Sequence, residues 1–241
     1  MPLGMPASLL IHRIAASRPE PEGLEWLRAV VEKLGRGEGV ADAGPAFVSA
    51  GRRVGRGPLA AGEPLPGAED PVPTEGWTVD DAARVVLLLA AGDPELAVAL
   101  YREGDSREKR AVLRALPFLP DGERFLEIAR DAGRTNESDL FAALACDNPY
   151  PARHYDDRGW NQLVMKAAFV GAPIDRIAGL ERRGNRELCR MALDYVDQQQ
   201  SAGREFPPEL ERLVAPFAAP GFDLTDRAAR AALRKSLEDQ P

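Results

Sequence analysis

His154, Asp156 and Asp157 fall within four residues, and Trp160 and Asn161 follow almost at once. An imidazole beside two carboxylates can form a general acid/base pair or a single divalent-metal site, because histidine titrates near neutral pH and carboxylate oxygens suit hard cations. Just upstream, Asp147-Asn148-Pro149-Tyr150-Pro151 carries two prolines, which predict an extended, ordered turn able to hold side chains in place. Asp147, Asn148, Tyr150, His154, Asp156, Asp157, Trp160 and Asn161 are therefore the candidate ligand- or partner-binding residues. The same residues also have an architectural reading: the acids cap a helix, Trp160 packs in the core, and Tyr150 or His154 ties down the loop. No residue is assigned a catalytic or metal-ligating role, and no cofactor is expected.

Other chemistry finds little support. There is no G-x-S-x-G elbow, no G-x-x-x-x-G-K-[ST] phosphate loop and no H-E-x-x-H zinc motif, and two histidines exclude a histidine-rich metal site. Gly51-Arg52-Arg53-Val54-Gly55-Arg56-Gly57 has the composition to wrap an anion, although a solvated connector explains it equally well. Arg107, Glu108, Lys109, Arg110 and Arg114 read as the exposed face of a helix. A formal charge of −7 argues against nucleic acid as a partner, since such binding depends on a basic surface that displaces counterions. Two cysteines, Cys146 and Cys189, give neither a disulfide framework nor a metal spacing. The apolar run Ser8-Leu9-Leu10-Ile11 is halted by His12 and Arg13, and no run approaches the ~20 residues of a membrane helix. A cytoplasmic location without direct membrane insertion is expected.

These side chains sit between helical patterns. Leu24, Leu27, Val30, Val31 and Leu34 mark one face of an amphipathic helix. From residue 36 to 77, glycine and proline supply fifteen of forty-two residues, about three times their usual share of ~12%, so this stretch is expected to be mostly irregular, with a helical turn around Ala46–Ala50. Thr78-x-x-Asp81 then opens a helix whose run Val85–Ala91 is apolar on all sides and so central and buried. Gly92 ends it, Asp93-Pro94 opens the next, and Leu96, Ala99 and Leu100 form that helix's core face. A shift of twenty-nine residues aligns Gly104 with Gly133, Ser106 with Thr135, Glu108 with Glu137, Val112 with Phe141 and Ala115 with Leu144, with each glycine ending a helix in a left-handed turn. A looser copy runs through Gly184, Asn185 and Glu187. Further helices are expected near 121–132, 136–146, 156–171, 173–182, 185–201, 207–218 and 223–238. The fold class is all-α, a HEAT-like stack of antiparallel helical hairpins (an α-α superhelix) with an irregular Gly/Pro-rich segment near the N-terminus. The domains are a helical segment 1–35, the irregular segment 36–77 and a helical-repeat domain 78–241.

Three stretches, Gly104-Asp105-Ser106-Arg107-Glu108-Lys109-Arg110-Ala111-Val112-Leu113-Arg114-Ala115-Leu116-Pro117, Gly133-Arg134-Thr135-Asn136-Glu137, and Asp147–His154 with Asp156–Gln162, together resemble the EboA-domain family over about Val79 to Ala215. The resemblance implies a bacterial cytoplasmic protein from a small gene cluster. Its neighbours there resemble a membrane prenyltransferase, a TatD-like hydrolase and a dehydroquinate-synthase-like cyclase. Such a cluster would mature or export a secondary-metabolite precursor. It carries over no catalytic residue. The expected function is therefore a non-catalytic binding or adaptor component in secondary-metabolite traffic, with cluster-encoded proteins and a metabolite precursor as partners. The alternative is a small-molecule enzyme or carrier with a polar pocket around His154, Asp156, Asp157, Trp160 and Asn161.

Overall fold

The computed structural model describes residues 4–67 and 70–239, and among these thirteen α-helices and short 3-10 turns form, with no strand. The chain divides into two compact units, Met1–His154 and Tyr155–Pro241.

The first unit holds α1 (Met5–Ala16), α2 (Pro21–Gly35), α3 (Ala43–Arg53), α4 (Val79–Ala91), α5 (Pro94–Glu103), α6 (Ser106–Ala115), α7 (Leu126–Arg134), α8 (Ser138–Ala145) and α9 (Tyr150–His154). α4 starts where Thr78 N–H donates to the Asp81 carboxylate at 3.0 Å and stops at Gly92, whose φ of 60° is left-handed. Its residues Val79–Leu88 are all buried, as an all-round apolar run requires, and α1, α2, α3 and α6 pack around it. Asp93 opens α5 by accepting from Glu95 N and Leu96 N. The core face of α5 is Ala97 and Tyr101, with Ala99 exposed, one position away from the face expected.

Two helix pairs, α5–α6 and α7–α8, succeed each other at a fixed interval: Pro94 to Leu126 and Ser106 to Ser138 are both thirty-two residues. Equivalent helices lie side by side in the same direction. Glu95 of α5 meets Arg124 in the 3-10 turn just before α7 (2.7 Å), and Tyr101 of α5 meets Asp131 of α7 (3.0 Å). Ser106 meets Glu137 (2.5 Å) at the starts of α6 and α8, and Asn148 bonds both Leu113 O and Ala143 O near their ends. The twenty-nine-residue alignment is thus three residues out, close to one helical turn, which is why its apolar pairs still coincide in burial. The left-handed turns assigned to its glycines do not form. Gly104 has φ −74°, and Gly133 lies inside α7. Gly104 is required for space instead, since a Cβ there would come within 2.5 Å of Leu100 O.

The Gly/Pro-rich segment is better anchored than its composition suggests. Its single expected turn is the eleven-residue α3, which buries Ala46, Phe47 and Ala50 against α4; packing of an apolar face outweighs weak local propensity. Leu65, Val72 and Trp77 are buried, and Leu65 and Val72 exchange backbone hydrogen bonds of 2.8 Å. Arg13 of α1 reaches across to Thr74 Oγ1 at 2.5 Å and to Glu63 O. The solvated-connector reading fails at Gly51, which lies within α3 beside the buried Asp80–Arg84 pair.

The second unit holds α10 (Asp157–Val170), α11 (Arg186–Ser201), α12 (Glu211–Val214) and α13 (Arg227–Glu238), with α11 packed against the other three. Asn161 pairs with Asn185 at one end of α10 and α11, and Tyr195 reaches Ala168 O toward the other (3.4 Å), so these helices also run in the same direction. Buried Arg230 pins α13 by donating to Asp197, Gln200 and Leu224 O. The helix expected over 173–182 shrinks to a 3-10 turn, Ile174–Arg176, and that over 207–218 to α12 between 3-10 turns. Gly179, with a left-handed φ of 82°, breaks the first span, and Pro216 removes an amide donor inside the second.

Candidate functional site

The boundary between the compact units falls inside the segment singled out above, between His154 and Tyr155. Asp147, Asn148, Tyr150 and His154 belong to the first unit. Asp147 turns the chain with φ 53°, a left-handed conformation that Asp tolerates better than most side chains. Buried Asn148 uses its amide fully: Nδ2 donates to Leu113 O (3.0 Å) and Ala143 O (2.9 Å), and Oδ1 accepts from Tyr150 N (3.0 Å). Tyr150 begins α9, a correction to the extended turn, because Pro151 fits a helix's first turn, where no amide partner is lost. Its hydroxyl donates to Gly122 O (2.7 Å), its ring lies 4.5 Å from that of His154, and His154 Nδ1 is 3.2 Å from Glu123 Oε1. Gly122 makes room for that imidazole, since a Cβ would come within 2.4 Å of Nε2.

The second unit receives Asp156, Asp157, Trp160 and Asn161. Asp156 is the cap of α10, accepting from Gly159 N at 2.8 Å. Asp157, the next acid, is free of that duty and pairs with Arg183 at 2.8 Å. Arg183 also donates to Tyr155 O and lies 5.4 Å over the ring of Trp160, which is fully buried. Asn161 and Asn185 exchange two amide hydrogen bonds, of 3.1 and 2.8 Å, while Asn185 Oδ1 also caps α11 through Leu188 N. Asp156→Ala is accordingly expected to cost about 0.5–2 kcal/mol in urea denaturation, the usual cost of a lost cap, and Asp157→Ala, which removes an exposed ion pair, under about 1 kcal/mol. Equal costs would mean that both acids serve the helix end.

Beside this amide pair the starts of α10 and α11 enclose an open groove of about 600 Å³, walled by Asp157, Arg158 and Asn161 from one helix and Arg186, Glu187 and Met191 from the other. It unites two of the eight candidates, Asp157 and Asn161, with residues not singled out for chemistry. The looser repeat copy at Gly184, Asn185 and Glu187 was the signal available for them. Glu187 is held 2.6 Å from Arg190, whose hydrogen bond keeps its carboxyl below the usual range and raises the guanidinium in turn.

Sequence reasoning also missed a buried ionic cluster in the first unit. Asp80 and Asp81 are completely buried; Asp80 accepts from the Thr78 hydroxyl and Arg84 (both 2.7 Å), and Asp81 from Thr78 N–H, Arg110 and Arg114. Arg110 and Arg114 are therefore not a solvated face, and Glu108 is buried too, accepting from Asp105 N at 3.0 Å. Only their partners on α4 reveal this. Burial alone would raise Asp80, but the bonds from Thr78 and Arg84 and the charge of Arg107 outweigh it and hold the carboxyl below its ordinary value. Burial lowers Arg114. A second cavity of about 450 Å³ adjoins the cluster, lined by Ser106, Arg107, Arg110, Glu137, Ser138 and Asp139 among others.

Among the described residues no group of three His, Cys, Asp or Glu side chains is placed to hold a metal ion, and no helix is long and apolar enough to cross a membrane. A family model described as metabolite traffic protein EboA matches residues 7–215, reaching well N-terminal of the span the motifs marked. No curated protein and no solved structure matches the chain.

Proposed function

Because the chain belongs to the EboA family of metabolite traffic proteins, we propose that it acts as a non-catalytic binding or adaptor component in that traffic, in the cytoplasm and alongside cluster-encoded partners. The groove at the starts of α10 and α11 carries this reading. Its volume is that of a small-molecule site, roughly 300–1,000 Å³ for typical ligands, and its walls offer charged, amide and thioether groups that recognise rather than react. The side chains that suggested acid/base work are occupied elsewhere: His154 with Glu123 and Tyr150, and Asp156 with the α10 cap. The parallel succession of α5 with α7 and of α6 with α8 supports a HEAT-like stack, an architecture suited to presenting partner surfaces.

Met191→Arg places a bulky cation in the groove from a half-buried position. In a deletion strain this variant, at wild-type protein level, is expected to leave metabolite export unrestored while the purified protein keeps its melting temperature. Full restoration would remove the groove from the function. Turnover of the precursor by the purified wild-type chain would make it an enzyme instead.

A further inference from the structure

The charges around the α10/α11 groove do not cancel evenly. Each acid beside it is already matched: Asp157 by Arg183 at 2.8 Å, Glu187 by Arg190 at 2.6 Å, and Asp194 by Arg190 and Arg234, both at 3.0 Å. Asp156 is engaged with the amide of Gly159. The helix ends are closed too, by Asp156 on α10 and Asn185 on α11, so exposed amides do not make the site. The cation left over is Arg158, an exposed side chain on the groove wall with no carboxylate partner among the described residues. Arg186 adds a second guanidinium to the same lining, from the neighbouring helix. Met191 offers an adaptable apolar surface on the wall, and the arginine stems extend it.

We propose that this groove takes an anionic small molecule with an apolar body, its carboxylate or phosphate resting on Arg158 and its carbon skeleton along Met191. Guanidinium groups suit this because their forked donors match the oxygens of either anion. The assignment rests on the binding role proposed above and adds the chemical class of what is bound. It also explains why a chain of formal charge −7 would present an anion site, since the acids around the groove are held by arginines of their own.

The test is an NMR titration of the full-length, ¹⁵N-labelled chain with octanoate, octyl phosphate, octylamine and octanol. Octanoate and octyl phosphate are expected to shift the amides of Arg158, Gln162, Arg186 and Met191 saturably, more weakly as salt is raised, and their relative affinities separate a carboxylate-preferring from a phosphate-preferring groove. Octylamine and octanol should leave those signals in place. Arg158→Gln keeps the polar surface and removes the charge, and should weaken the anions by about tenfold with an unchanged spectrum elsewhere. Equal binding of the amine or the alcohol, shifts confined to other surfaces, failure of both anions to bind, or an Arg158→Gln variant that binds as wild type would each overturn the assignment. If the anions fail while Met191→Arg still abolishes export, the ligand class is wrong and the binding role stands. If Met191→Arg restores export, the binding role itself falls.

Discussion

Asp81→Ala is expected to destabilise the protein by about 3–5 kcal/mol, the usual consequence of removing one member of a buried ion pair. The carboxylate is completely buried and receives Thr78 N–H, Arg110 and Arg114 together. Alanine would leave two largely buried guanidinium groups without their counter-charge and strip α4 of its capping partner. Asp81→Asn keeps an acceptor for Thr78 and should fall between. Urea denaturation measures both, and a cost below about 1 kcal/mol for alanine would mean that water reaches the cluster. Asp80 gives this cluster a pH signature. Its folded-state pKa lies below the ordinary 3.8, so its stabilising contribution is complete above that value and is lost as pH falls through the depressed one. The stability difference between wild type and Asp80→Asn should stay constant from about pH 8 to 5 and close only below about pH 4.

Trp160→Ala should cost about 3–5 kcal/mol, since a fully buried indole is removed and Arg183 loses the ring on which it lies. The sharper comparison is Trp160→Phe. Nε1 of Trp160 has no hydrogen-bond partner among the described residues, so phenylalanine gives up volume but no hydrogen bond and keeps an aromatic face for Arg183. Its cost should be about 1–2 kcal/mol. Phenylalanine as damaging as alanine would show that the indole N–H is satisfied after all, most simply by an ordered water.

Legibility in the sequence followed the range of the interaction. The start of α4 at Thr78 and Asp81, the start of α5 at Asp93 and Pro94, and the stop at Gly92 were readable because a cap or a left-handed turn involves neighbours a few residues apart. The burial of α4 was readable because its apolar side chains leave no face for water. The family was readable from motifs after Val79, whereas the match over residues 7–215 also takes in helices and loops whose sequence signals are weaker. Asp156 and Asp157 could not be ranked as caps, because adjacent acids at a helix start have nearly the same local propensity. Arg183, twenty-six residues further on, takes Asp157 away from the helix end.

The sequence by itself thus determined an all-α chain, most of its long helices, and the segment in which polar side chains interrupt the apolar pattern. Only the tertiary structure decided what those side chains touch. It turned a charged helix face into a buried cluster because α4 brings Asp80 and Asp81 to Arg110 and Arg114 from some thirty residues away. It also assigned the eight candidates to two compact units and joined Asp157 and Asn161 to Arg186, Glu187 and Met191. The physical reason is common to both. A helix pattern reports which face is apolar, while the partner of a charge or an amide is set by which helix packs alongside, and that is a long-range property of the whole chain.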